Sequence, residues 1–517
     1  MSHRSLPSVW RRSSVGLLLL LMLLVLTGGL QAQEPAGAGE AERSALRQAK
    51  ALESTVTRVI ARTEKSVVCV VRTTTPPGGN AQAALRPQVR AAPAAPFSAL
   101  RSRQLAPQPT AVGAGVVIDN GLILTQYLLV DQGESHAVYD SKGIEYAAEI
   151  RAADPRSGLA VLSLSNSAPA PRDLPALTIG KAEELRKGNF VIAIGNPFAI
   201  KSDGQPTASW GVVSNTARKA PADENLNNVN DNEGAFRTTL HHFGTLIQTD
   251  ARLGWNASGG ALVTLSGQLV GVTTTSSAIT GHERPAGYAI PLNETMRRVV
   301  GDLKEGREPE YGLMGIAFNP VVTESASTGA RGVGVNGVFQ GSPSQQAGLV
   351  RNDLITRIAN EPIIDSDSLQ LIVNSRPPGA EVPVEFERAG SQLSTVVKLG
   401  KAFIQGEKVI TNLPPAWRGI RVDYSTAAPS TVLQQKAQQG HIDPEGCVMV
   451  SDVELGSVSW RSGVRPYSFI SHVGGERVTT PREFYDAVRD ADQSVSVRFT
   501  KPLASAKPAQ PEAANPQ

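Results

Sequence analysis

The chain of 517 residues is long enough for about three domains, and its 41% hydrophobic content excludes a disordered polymer. With 50 basic against 47 acidic residues and a net charge of +3, it lacks the electrostatic footprint of a nucleic-acid-binding protein. Abundant glycine (48) and proline (35) beside only 5% aromatics favour many turns and a mainly β architecture.

Arg4, Arg11 and Arg12 precede the apolar run Val15–Leu26, and small residues follow up to Ala32. The run is shorter than the roughly 20 residues a membrane span needs, so residues 1–32 read as a cleaved export signal, with an uncleaved anchor as the alternative. No cysteine follows it, so no lipid-anchored lipoprotein is predicted. Cys69 and Cys447 are too far apart in the sequence to suggest a disulfide framework.

Residues 33–65 form an N-terminal helical segment, with Leu46, Ala49, Leu52, Val56 and Val59 at helical spacing. Ser66–Val71 is β-branched and strand-like. Residues 75–110, rich in Pro, Ala and Arg, read as a long mobile loop. Short strands then recur at 115–118, 122–124, 137–139, 159–162 and 190–194, a spacing that suggests a barrel or sandwich. Residues 220–234 are a polar insertion, and Asn293 is placed to cap a helix running to Lys304. Two α+β units follow at 311–402 and 417–503, a weak repeat of roughly 100 residues with helices expected at 366–374 and 481–489. The Pro/Ala-rich tail 504–517 reads as disordered.

Ser258-Gly259-Gly260 stands between Leu246-Ile-Gln-Thr-Asp250 and the strand-like Gly267–Val272. The glycines permit a tight turn that holds a serine hydroxyl at a strand end beside backbone N–H groups. Ile123-Leu-Thr125, Asp154-Pro-Arg-Ser-Gly-Leu-Ala-Val-Leu162, Val191–Phe198, Gln248-Thr-Asp250 and Gly287–Pro291 surround it in order. Together these strings resemble the HtrA/Deg family over about residues 50–500. That resemblance implies a chymotrypsin-like double β-barrel over 66–305, with its site in the cleft between the barrels, followed by two PDZ-like domains. It implies no cofactor and no metal.

Carried over residue by residue, the resemblance gives Ser258 the nucleophile position, but Leu128 stands where the family has histidine. Gly158 stands where it has aspartate, and Asn256 with Ser258 takes the oxyanion-hole position. Leucine cannot accept a proton and glycine cannot orient an imidazole. Among the remaining histidines only His241-His242 forms a pair, without the spacing of two ligands on one helix face.

The PDZ resemblance implies a groove in which an extended peptide adds to a sheet edge. In the first unit Leu313, Met314, Gly315 and Ile316 take the carboxylate-binding loop, while Leu369, Ile372 and Val373 are candidates for the side-chain pocket. Trp417-Arg-Gly-Ile420 takes the loop position in the second unit, where Tyr467-Ser468 replaces the Asn352-Asp353 of the first. The expectation is an exported pseudoprotease that binds peptide termini or non-native segments in envelope quality control, in a possible homo-oligomer. An endopeptidase using Ser258 with a non-standard base, and a subunit regulating an active HtrA paralogue, are the alternatives.

Overall fold

A computed structural model describes residues 38–74, 109–165, 174–196, 205–220, 238–252, 254, 257–274, 287–489 and 495–501. The export segment, residues 75–108, residues 221–234 and the tail lie outside these. From Pro109 the expected loop is already strand. The chain divides into two units, 1–58 and 59–517, and a helix spans Ala38–Thr63.

Within the second unit, six strands close the first barrel: β1 (Val67–Thr74), β2 (Pro109–Asp119), β3 (Leu122–Gln126), β4 (Glu134–Tyr139), β5 (Glu145–Asp154) and β6 (Leu159–Leu164). Their order is β5-β4-β1-β2-β3-β6, and β6 pairs back onto β5. Alternation along β1 sends Val68 and Val70 into the barrel with Val117, Ile123 and Leu162, and turns Cys69 and Val71 outward. Gly115 is required at the close approach to β3, since a Cβ there would lie 2.5 Å from Ile123 Cγ2. Both cysteines are buried, and they are not joined in a disulfide.

The second barrel is likewise closed, with strands β7 (Phe190–Gly195), β8 (Thr207–Arg218), β9 (Leu246–Thr249), β10 (Ala261–Thr264), β11 (Leu269–Thr274) and β12 (Gly287–Pro291). The helix Glu294–Lys304 follows, and the Asn293 side chain accepts from the Met296 N–H as its cap.

The first α+β unit comprises β13 (Gly312–Leu313), β14 (Ile316–Glu324), β15 (Arg331–Val338), β16 (Leu354–Ile358), β17 (Glu361–Pro362), β18 (Glu381–Arg388), β19 (Ser391–Lys398) and β20 (Gly400–Lys401). Helix Ser366–Asn374 starts at an Asp365 capping box. Strand β14 is the free edge of the sheet β14-β15-β16-β18-β19. The second unit repeats the plan with β22 (Ile420–Tyr424) at the edge, β23 (Val448–Val453), β24 (Phe469–Val473), β25 (Glu476–Arg477), helix Pro481–Arg489 and β26 (Val497–Phe499). It adds a helix, Ser430–Gln438, that the sequence reading had not placed.

The link between the two α+β units straps them to the first barrel. Its strand β21 (Val409–Ile410) pairs with β5 at Ala153 and Ala152. Tyr127 Oη donates to the Glu407 carbonyl (3.0 Å) and Thr411 Oγ1 to the Arg151 carbonyl (2.7 Å). Beside it the ammonium of Lys401, only 5% exposed, meets Asp423 (2.8 Å), Glu308 (2.9 Å) and Glu310 (3.2 Å). These carboxylates come from the helix-to-sheet connection and from β22, so one cation ties three segments together.

Candidate functional site

Ser258 lies in a turn clamped by both barrels. Its carbonyl accepts from the Ala114 N–H on β2 (2.8 Å), and the Gly259 N–H donates to the Thr273 carbonyl on β11 (2.8 Å). Gly259 has φ 90°, and a Cβ there would sit 2.0 Å from the Ala114 carbonyl, so only glycine fits. Thr125 Oγ1 donates to that same carbonyl (2.7 Å), which ties β3 to β2 beside the turn.

Leu128 is in the 3-10 turn Tyr127–Leu129 directly after β3, and 66% of it is exposed. The next residue, Leu129, is buried against Gly113, which in turn lies against the Ser258 carbonyl. The Tyr127 N–H donates to the Gly158 carbonyl (2.8 Å), so the second and third positions are joined through the backbone. Backbone contacts thus link the turns that carry Leu128 and Gly158, and Leu129 approaches the Ser258 turn at Gly113; the side chain of Leu128 carries no proton acceptor and Gly158 no carboxylate. Asn256 lies outside the described residues.

Other titratable groups near the cleft are committed elsewhere. The Asp154 carboxylate is buried and accepts from the Ser157 N–H (2.8 Å), the Arg156 N–H (3.3 Å) and the Tyr311 hydroxyl. Burial pushes its pKa up. His241 is buried beside Gly158: Nε2–H donates to the Ser157 carbonyl (2.8 Å), and Nδ1 accepts from the Thr245 hydroxyl (2.7 Å). Burial pulls its pKa down to about 4. Both ring nitrogens are thus occupied in holding a turn. His136 Nε2 accepts from the Asp131 N–H (3.2 Å) and His242 Nδ1 bonds the Ala220 carbonyl (3.3 Å).

A pH dependence of stability follows. The folded-state pKa of His241 lies below its unfolded value of about 6.5, so its neutral form stabilises the fold above that pH. As pH falls from 6.5 through 4 that contribution, about 3 kcal/mol, is lost. Asp154, with its raised pKa, works in the opposite direction. In urea unfolding at pH 7 and 4.5, His241→Gln is expected to flatten the profile relative to the wild type, and an unchanged slope would exclude His241 as its source.

The first α+β unit is fastened beside Gly158. Tyr311 bonds Asp154, and the Arg156 guanidinium bonds Asn374 at the end of helix Ser366–Asn374 and the Thr238 carbonyl (2.9 Å). Lys219 pairs with Asp367 (2.5 Å) and Asp365 (3.4 Å) at its start. Asp154 and Arg156 stand in the sequence as members of the Asp154–Leu162 motif, which carries no mark of these contacts.

In the expected carboxylate loop, Gly315 has φ 76°, and a Cβ there would lie 2.4 Å from Ser342 Cβ. The Phe339 N–H donates to the Gly315 carbonyl (3.1 Å) and the Ser344 N–H to the Met314 carbonyl (3.0 Å). Leu313 is half-buried and pairs with Gly400. Met314, Ile316, Leu369, Ile372 and Val373 are buried in the core of the unit. Ser366 Oγ donates to the Pro320 carbonyl (3.3 Å), bridging the helix start to the edge strand β14.

Two closed six-stranded barrels bridged by the Ser258 turn, followed by an edge-strand α+β module, define a trypsin-like peptidase fold carrying a PDZ domain. The trypsin-like peptidase domain family matches residues 113–272 and the PDZ domain family residues 312–399. The chain is 31% identical over 297 residues to the periplasmic serine endoprotease DegP of Salmonella typhimurium, covering 56% of this chain and 57% of that protein. A probable DegP-like periplasmic serine endoprotease of Pseudomonas fluorescens is 27% identical over 397 residues, covering 75% of this chain and 77% of that one. The chain thus spans little more than half the length of the DegP protein in the first of these alignments. The structure of the HtrA-type protease AlgW with a decapeptide aligns at TM-score 0.46 and 22% identity, over 69% of this chain and 98% of that one. The chain is a homologue of the HtrA/Deg proteins.

Proposed function

We propose that this protein is an exported HtrA-like pseudoprotease that binds peptide termini or non-native segments. The observation carrying this reading is Leu128: the position of the proton acceptor holds an exposed aliphatic side chain, and Gly158 supplies no carboxylate to orient one. Losing the histidine of a serine-protease relay costs about 10⁶ in kcat, or roughly 8 kcal/mol of transition-state stabilisation. The commitment of His241 to Ser157 and Thr245 argues against a substitute base. The free edge β14 supports peptide addition to the first PDZ sheet. The periplasmic naming of the relatives supports export.

Casein and fluorogenic-peptide hydrolysis by the wild type should be indistinguishable from that of Ser258→Ala. A fluorophosphonate probe should label Ser258 no faster than it labels surface serines. Ser258-dependent turnover at the rate of an active homologue would replace this reading with that of an endopeptidase using an unconventional base.

A further inference from the structure

The two α+β units present the same loop in different states. The loop 313–316 of the first corresponds to 417–420 of the second. Gly315 and Gly419 (φ 76° and 82°) abut Ser342 and Ser457, and the carbonyls of Met314 and Arg418 accept from Ser344 and Ser459 (3.0 and 3.4 Å). The Phe339 N–H takes the Gly315 carbonyl, and the Glu454 N–H takes that of Gly419 (2.7 Å). Those bonds turn each glycine toward the neighbouring strand, so the following residue, Ile316 or Ile420, directs its backbone N–H to the open edge. That N–H, and the one two residues on, are the donors that an added peptide would use.

In the second unit both donors are already taken. The Ile420 N–H donates to the Trp417 carbonyl and the Trp417 N–H to the Ile420 carbonyl, both at 2.9 Å. This closes a two-residue turn with Arg418 (φ 50°) and Gly419 both left-handed. In the first loop Leu313 pairs with Gly400 instead. The Val422 N–H donates across the groove to Tyr485 Oη on helix Pro481–Arg489 (3.3 Å). Trp417 meets Phe484 edge-on at 5.8 Å, Phe484 meets Tyr485 at 5.4 Å, and the Arg418 guanidinium lies 4.4 Å over the Trp417 ring. The left-handed conformation of Arg418 is strained, and these aromatic contacts and two backbone bonds offset that strain.

We infer that the second unit carries a masked peptide-terminus groove, closed by its own Trp417 and Tyr485. An aromatic residue and a carbonyl from the chain itself stand where a ligand's terminal residue would bind. The ligand class, a free C-terminal carboxylate on an extended apolar peptide, rests on the peptide-binding reading given above. The closed state does not.

The test uses the full chain with the first groove blocked by Gly315→Trp, which Ser342 leaves no room to accommodate. Fluorescein-labelled decapeptides ending in a free carboxylate after an apolar residue are titrated by polarisation, with C-terminally amidated copies as controls. With Trp417 and Tyr485 in place only weak carboxylate-dependent binding is expected, and Trp417→Ala, which removes the ring contacts that hold the turn closed, with Tyr485→Phe, which removes the acceptor of the Val422 N–H, should tighten it by at least about tenfold, the worth of one or two recovered hydrogen bonds. Equal binding with and without the two aromatic residues overturns the inference, and so does absence of binding by the folded, unmasked variant. If that variant does not fold, amide exchange on the wild type decides: slow exchange at Ile420 and Val422 supports a closed groove, and exchange at the rate of exposed amides overturns it. Failure of the peptide-binding reading appears separately, as no binding by the chain in which Gly315 is intact.

Discussion

Leu128→His combined with Gly158→Asp is expected to cleave casein in a Ser258-dependent manner, at least about 10³-fold faster than the wild type. The scaffold for a relay is in place. The Ser258 turn is clamped between the barrels, and Tyr127 N–H holds Gly158 next to the turn bearing Leu128. A Cβ at Gly158 would make ordinary contacts, 3.6 Å to Ile290 Cδ1 and 3.7 Å to His241 Nε2. Its φ of 68° is left-handed, a region in which aspartate is among the better-tolerated residues. Gly158→Asp alone should leave activity at background, since there is no imidazole to orient. Leu128→His alone should stay near the wild-type background, since an unoriented histidine loses a factor on the order of 10⁴. A folded double variant that stays at background would mean that the turn before Ser258 has also lost its donor geometry.

Lys401→Met should destabilise the chain by about 3–5 kcal/mol at pH 7, as expected when one partner of a buried ion cluster is removed. The ammonium serves Glu308, Glu310 and Asp423 at once, whereas Lys408 pairs with Glu308. Without it, Asp423 is left as a largely buried carboxylate and Glu310 as a partly exposed one. Burial already holds both above their ordinary pKa, and loss of the cation raises them further. Groups with a raised folded-state pKa gain stability as pH falls through that value, so the gap between variant and wild type should narrow on acidification toward 4.5. Urea unfolding at pH 7 and 5 measures both quantities, and a loss below about 1 kcal/mol at pH 7 would mean that the cluster is solvated.

The parts legible in the sequence were those with a local chemical signature. Helix Ser366–Asn374 and helix Pro481–Arg489 fell where expected, and Asn293 does cap Glu294–Lys304. The motif strings singled out Leu128, Gly158 and Ser258, and the Tyr127 N–H donates to the Gly158 carbonyl beside the first of them. Contacts between distant segments left no such trace. Val409–Ile410 is too short to show a period, and its partner strand ends about 250 residues earlier. Tyr311 carries no mark in the sequence of its bond to Asp154. The closure of the 417–420 turn depends on a left-handed arginine, a conformation that residue type does not announce. The pocket-lining candidates Leu369, Ile372 and Val373 illustrate a further limit, because an apolar helix face reads the same whether it meets a ligand or the interior.

Strand β21 has a consequence for how the polypeptide must be handled and how it is made. A truncation at residue 305 would strip the strap from β5, exposing the backbone at Ala152 and Ala153 and removing the acceptor for Tyr127 Oη. During synthesis, the first barrel emerges from the ribosome some 250 residues before the segment that finishes it, so this barrel waits for the whole first PDZ domain before its last hydrogen bonds can form.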